Sequence, residues 1–135
     1  MKRMILVFSA IILLLIIHRS SNGADPMPQA LRVEINEFRF TMDRFSLEGE
    51  RPVVLTLVNN GKMQHEFASD LFAGGDAEVE LDGVIVGGKQ IEEVELAPGK
   101  SVKVTFTPQK KGKVDFICDL PGHREKGMIG SVSVR

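Results

Sequence analysis

Two short stretches of this chain hold the side chains able to do metal chemistry. One is Met63-Gln64-His65-Glu66-Phe67. The other runs from Cys118 to Met128 and has the spacing Cys-x4-His-x4-Met, with His123 at its centre. Thiolate and thioether are soft donors that suit Cu(I), whereas imidazole nitrogen also serves Cu(II). His65, Cys118 and His123, with Met128 as a weak axial donor, therefore make the trigonal set expected of a type 1 copper centre. Such a set accepts both oxidation states with little rearrangement. Zinc at Cys118, His65 and His123 with a carboxylate such as Glu66 or Glu125 is the alternative, and it leaves Met128 without a role.

Composition narrows the field around these residues. The chain has 135 residues, the length of one domain, with 17 Lys+Arg against 18 Asp+Glu and a net charge of −1. That balance argues against nucleic acid as a partner, and with no Trp or Tyr only Phe is left to stack on bases. A single cysteine excludes an internal disulfide and any Cys-x-x-Cys site.

The elements that must position the donors begin after a distinct first segment. Lys2 and Arg3 precede an apolar run from Met4 to Ile17, 14 residues long, and Ser21-Asn22-Gly23 follows with small residues. The run falls short of the roughly 20 residues a membrane span needs. Residues 1–23 are thus expected to be a cleaved secretory signal peptide. Removing them would leave 112 residues and, without Lys2, Arg3 and Arg19, 14 cations against 18 carboxylates, a charge of −4. The expected destination is the periplasm or the extracellular side of the envelope. A lone thiol in such an oxidising compartment asks for a reason.

Residues 24–30 read as a flexible lead-in and 31–135 as the folded domain. The apolar pattern there has period two. Leu31, Val33 and Ile35 alternate, and the parity shifts at Asn36-Glu37 before Phe38 and Phe40. Pro52 to Val58 is dense in β-branched residues and ends at the Asn59-Asn60-Gly61 turn. Ile91, Val94 and Leu96 lead into Ala97-Pro98-Gly99, and Val102, Val104 and Phe106 follow. Val114, Phe116 and Cys118, then Val132 and Val134, complete the pattern. The spacing predicts an all-β chain, an antiparallel Greek-key β-sandwich of about seven to eight strands. A short helical turn is expected within 68–78. Between Glu66 and Glu95 the chain carries nine carboxylates against Lys89 alone, either a solvated face or a dock for a cationic partner.

Several stretches resemble the cupredoxin family. They are Val58-Asn59-Asn60-Gly61 with His65-Glu66-Phe67, then Leu96-Ala97-Pro98-Gly99-Lys100, and Phe116-Ile117-Cys118 through Gly122-His123 to Gly127-Met128-Ile129-Gly130. The Cys-to-His gap is similar to that of the azurin, auracyanin and rusticyanin branches. Glu66 stands where plastocyanin and azurin carry asparagine, and the His-Glu-Phe form resembles periplasmic cupredoxin-like domains. The resemblance implies a β-sandwich with one copper ion near one end, held by His65, Cys118, His123 and Met128. It implies a non-enzymatic monomer that shuttles single electrons between redox proteins through the exposed edge of His123. Pro121, Gly122 and Met63 would form an apolar rim there. The alternative is copper handling, with a metal-handling protein as partner. Multicopper oxidases and two-domain nitrite reductases need more histidines than His65 and His123 supply.

Overall fold

The computed structural model describes residues 26–135, so the expected leader and the first residues of the lead-in lie outside the described residues. Alternating apolar residues put one row of side chains on each strand face, and two such sheets bury their apolar rows against each other. Eleven strands result: β1 (Gln29–Asn36), β2 (Arg39–Met42), β3 (Ser46–Leu47), β4 (Val53–Asn59), β5 (His65–Ser69), β6 (Ala77–Leu81), β7 (Val84–Lys89), β8 (Glu93–Leu96), β9 (Ser101–Phe106), β10 (Gly112–Ile117) and β11 (Ile129–Val134). One sheet has the order β2-β1-β4-β9-β6-β7 and the other β3-β11-β10-β5-β8. Among the described residues one 3-10 turn, Asp70–Phe72, sits within the stretch expected to hold one.

The all-β sandwich agrees with the sequence reading, and three details differ. The sheets are mixed, because β1 pairs with β4 in parallel and β11 pairs with β3 in parallel. Alternation assigns a strand its faces but carries no information on the direction of its neighbour. The strand count is also higher. β3 spans two residues, too short for a period to register, and β5, β6 and β7, of five, five and six residues, lie in the acidic stretch where no alternating row is read. The β6–β7 hairpin had a readable signal in Asp82-Gly83, where φ values of 51° and 79° give a turn with both central residues left-handed. The first strand also opens earlier than expected. Gln29 is buried, and its carboxamide bonds the backbone N–H of Glu48 at 2.7 Å and its carbonyl at 2.9 Å.

Leu31, Val33 and Ile35 of β1, Leu55 and Leu57 of β4, and Val104 of β9 line the inner face of the larger sheet. Facing them, Phe67 of β5 stacks on Phe116 of β10 at 4.8 Å between ring centres. Phe40 of β2 reaches across to meet Phe116 edge-on at 5.2 Å. Each such side chain contributes about 1.5–3 kcal/mol by leaving water. This core closes the sandwich below the strand ends that carry the metal-binding side chains.

Gly130 of β11 lies directly opposite Phe116 of β10. A Cβ there would lie well inside 3.0 Å of the ring. Gly130→Ala is therefore expected to destabilise the metal-free protein by about 1–3 kcal/mol, measured by chemical denaturation. An unchanged midpoint would show that the β10–β11 contact is looser than described.

Candidate metal centre

β4 runs in the larger sheet and β5 in the smaller, so residues 60–64 carry the chain from one sheet to the other. Asn59 at the end of β4 governs that crossing. It is fully buried, and its Nδ2 donates to the carbonyls of Met63 and Leu96, both at 2.9 Å. Its Oδ1 accepts the N–H of Gly61 at 2.9 Å. The crossing is thereby tied to β8, and His65, the first residue of β5, lies opposite Leu96 in the same ladder. Glu37 adds an outer tie by accepting the N–H of Lys62.

Cys118 follows β10 directly and is fully buried. Its N–H donates to the carbonyl of Met128 at 3.2 Å, which closes the ligand loop at its base. Within that loop the N–H of His123 donates to Leu120 at 3.0 Å, and the N–H of Met128 donates to His123 at 3.1 Å. Gly122 and Gly127 adopt φ of 82° and 86°, left-handed values that favour glycine at both bends. Met128 is fully buried, hydrogen-bonded through its backbone to both Cys118 and His123.

The loop and the crossing meet. One ligand atom each from His65, Cys118 and His123 lie within 4.8 Å of one another, all from buried residues. Sγ of Cys118 stands 3.2 Å from Nδ1 of His123 and accepts the N–H of Glu66 at 3.3 Å. The two imidazole rings are 5.0 Å apart between centres. Both ring nitrogens of His65 are buried without a hydrogen-bond partner. Burial, reinforced by His123 and opposed by Glu37, holds the His65 imidazole below its ordinary pKa, which keeps its lone pair free. A neutral unpartnered imidazole beside a thiol and a second imidazole is the donor set a copper ion needs, and the residues fit the group.

Neither candidate carboxylate joins this cluster. Glu125 is exposed. Glu66 is buried, and its carboxyl is raised to about 7, first by desolvation and then by Glu93, Asp119 and Glu95 around it. It lies among other acids rather than among the donors. His123 is 5% exposed as a residue, so the edge it offers to solvent is narrow; Phe38 meets its ring edge-on at 5.1 Å and 88°, and Lys126 Nζ stands 4.0 Å above the Phe38 ring. Met63 is exposed as expected of the rim.

Asn59 and Phe38 were missing from the sequence-derived site. Asn59 was read as a turn marker, and the turn chemistry hid its side-chain role. Phe38 was read as part of an alternating strand, and its covering role depends on a partner far along the chain.

A family model for the cupredoxin-like domain matches residues 6–129. A copper-resistant cuproprotein CopI of Rubrivivax gelatinosus is 27% identical over 110 residues, covering 79% of this chain and 67% of that protein. The CopI of Vibrio cholerae serotype O1 is 29% identical over 96 residues, covering 66% of this chain and 54% of that protein. The matched region thus leaves a third to nearly half of each relative unmatched. A dithionite-reduced auracyanin from the photosynthetic bacterium Roseiflexus castenholzii superposes with a TM-score of 0.58 at 20% identity, covering 79% of this chain and 97% of that one. At that identity the likeness speaks for the fold alone.

Asn59→Ala strands two buried carbonyls and one N–H. It is expected to destabilise the metal-free protein by about 1–3 kcal/mol and to weaken metal binding through His65. Thermal unfolding with and without copper checks both parts. Unchanged stability would mean that the crossing is held by Glu37 instead.

Proposed function

The chain belongs to the cupredoxin-like domain family, and on that premise we propose that it is an exported copper-handling protein with a single mononuclear centre. In this reading His65, Cys118 and His123 would hold the ion as its three strong ligands, and the buried Met128 would be a fourth, weak donor. The observation that carries it is the buried meeting of the three donors with both His65 nitrogens unpartnered. A bound copper ion supplies one-electron exchange between Cu(I) and Cu(II).

The residues divide the remaining work. Cys118 provides the anionic sulfur, and the Glu66 N–H pointed at it moderates its charge. Asn59 and Leu96 hold His65 in place before metal arrives. The Phe38 ring packs edge-on against His123 and covers part of it. The copper-resistance names of the CopI relatives favour handling over shuttling. The Lys2-Arg3 start and the apolar run to Ile17 support export. Binding rather than catalysis fits a centre built from so few histidines.

A second reading, single-electron carriage between redox proteins, is favoured by the strand-held ligands, since a rigid set changes oxidation state with little rearrangement. Competition with a Cu(I) chelator and voltammetry separate the two. Handling expects transfer of Cu(I) to an acceptor at rates useful to a cell, and carriage expects fast reversible electron exchange with the metal retained.

Copper added to the metal-free protein is expected to produce an intense visible band and to raise the melting temperature, because metal binds the folded site preferentially. Cys118→Ser should abolish the band with the fold retained, as judged by circular dichroism. Absence of any band in the wild type would overturn the type 1 assignment.

Met128 is tested separately. Met128→Gln offers a harder oxygen donor and is expected to lower the reduction potential, whereas Met128→Leu removes a donor and is expected to raise it. Shifts of the same sign in voltammetry would show that Met128 is not axial.

A further inference from the structure

Phe38 occupies a place that turn chemistry would assign to another residue. It is the second central residue of the two-residue turn that joins β1 to β2, between the paired Asn36 and Arg39. Its φ is 58°, a left-handed value that glycine and asparagine tolerate and a bulky residue avoids. A residue held in such a conformation needs a reason in its side chain.

Core filling is only part of that reason, since Phe38 is partly buried against the edge of the core. The core aromatics Phe40, Phe67 and Phe116 pack against each other, whereas the close ring partner of Phe38 is His123. Its outer face receives the Lys126 ammonium at 4.0 Å. Lys126 is in turn bonded to His123 through its backbone, its N–H donating to the His123 carbonyl at 3.2 Å. The turn of one sheet and the ligand loop of the other thus close over one imidazole.

We propose that Phe38, steadied by Lys126, is a lid over His123 that sets how fast an incoming ligand reaches the metal site. The inference rests on the reading of His65, Cys118 and His123 as copper ligands and adds control of access to it. Opening needs no change in either sheet. The Phe38 ring has only to swing outward, giving up the Lys126 and His123 contacts and its partial packing against the edge of the core. An acceptor ligand then approaches from the His123 side, while His65 and Cys118 stay held at their strand ends.

The test uses Phe38→Asn, which suits the left-handed turn, and Lys126→Gln, which changes an exposed side chain and leaves the fold alone. Two rates are read: reaction of the buried Cys118 thiol with an aromatic disulfide reagent in metal-free protein, and removal of Cu(I) from loaded protein by bicinchoninate. Phe38→Asn is expected to raise both by about tenfold or more, the weight of a lost aromatic edge contact with its burial. Lys126→Gln is expected to raise both by about two- to fivefold, the weight of an exposed cation–π contact. Unchanged rates in both variants overturn the lid. So does an increase confined to Phe38→Asn with a lowered melting temperature, which marks general loosening. A wild type that binds no copper, with the thiol rates still rising in both variants, would leave the lid standing and remove the copper reading instead.

Discussion

The structure depends on keeping His65 buried with neither ring nitrogen hydrogen-bonded. An unsatisfied buried polar group costs about 1–3 kcal/mol. Such a residue persists only where its surroundings leave it no other place. Here the surroundings are the ladder to Leu96 and the Asn59 carboxamide, which joins the end of β4 in one sheet to β8 in the other. The same bonds that stitch the two sheets at this end also fix the ring. The cost is offset when a metal takes one lone pair, so fold stability and metal affinity are linked at a single side chain.

Much of this was legible in the sequence because strand alternation and ligand spacing are local. Leu31-Val33-Ile35 and Val102-Val104-Phe106 read correctly as buried rows, and Cys118, His123 and Met128 stand within one loop. His65 could be placed just after a strand and turn because Asn59-Asn60-Gly61 marks that turn, whereas the strand it begins was not legible. What stayed hidden was pairing. Parallel contact of β1 with β4, the cover of Phe38 over His123 and the reach of Asn59 to Leu96 all join residues distant in sequence. A hydrophobic pattern records which face is buried and is silent on what buries it.

The acidic run shows the same limit. Read along the chain, Glu66 to Glu95 looks like one charged face. In space it is split, with Glu78 and Glu80 on β6 in the larger sheet and Glu66, Glu93 and Glu95 on β5 and β8 in the smaller. Glu80 is paired with Lys103 at 3.5 Å. Glu93 and Glu95 stand on an edge strand, where charge discourages pairing with another chain. Glu66 lies behind them, its carboxyl raised to about 7 first by burial and then by its acidic neighbours. The run therefore holds members of different character, some solvated, some paired, one buried and raised.

The metal-binding end has a fixed half and a yielding half. His65 begins β5 and Cys118 follows β10, so both inherit the rigidity of the ladders beneath them. His123 sits on a loop of tight turns with two left-handed glycines, held by a handful of backbone bonds. A site that only passed electrons would gain from stiffness on every side, since any movement between oxidation states slows exchange. A site that also takes up and releases an ion needs one ligand able to let go. The cover of Phe38 and Lys126 lies on that yielding side. In the proposed reading the strand-held half would set which metal is held, and the half beside Phe38 would set when it can be reached.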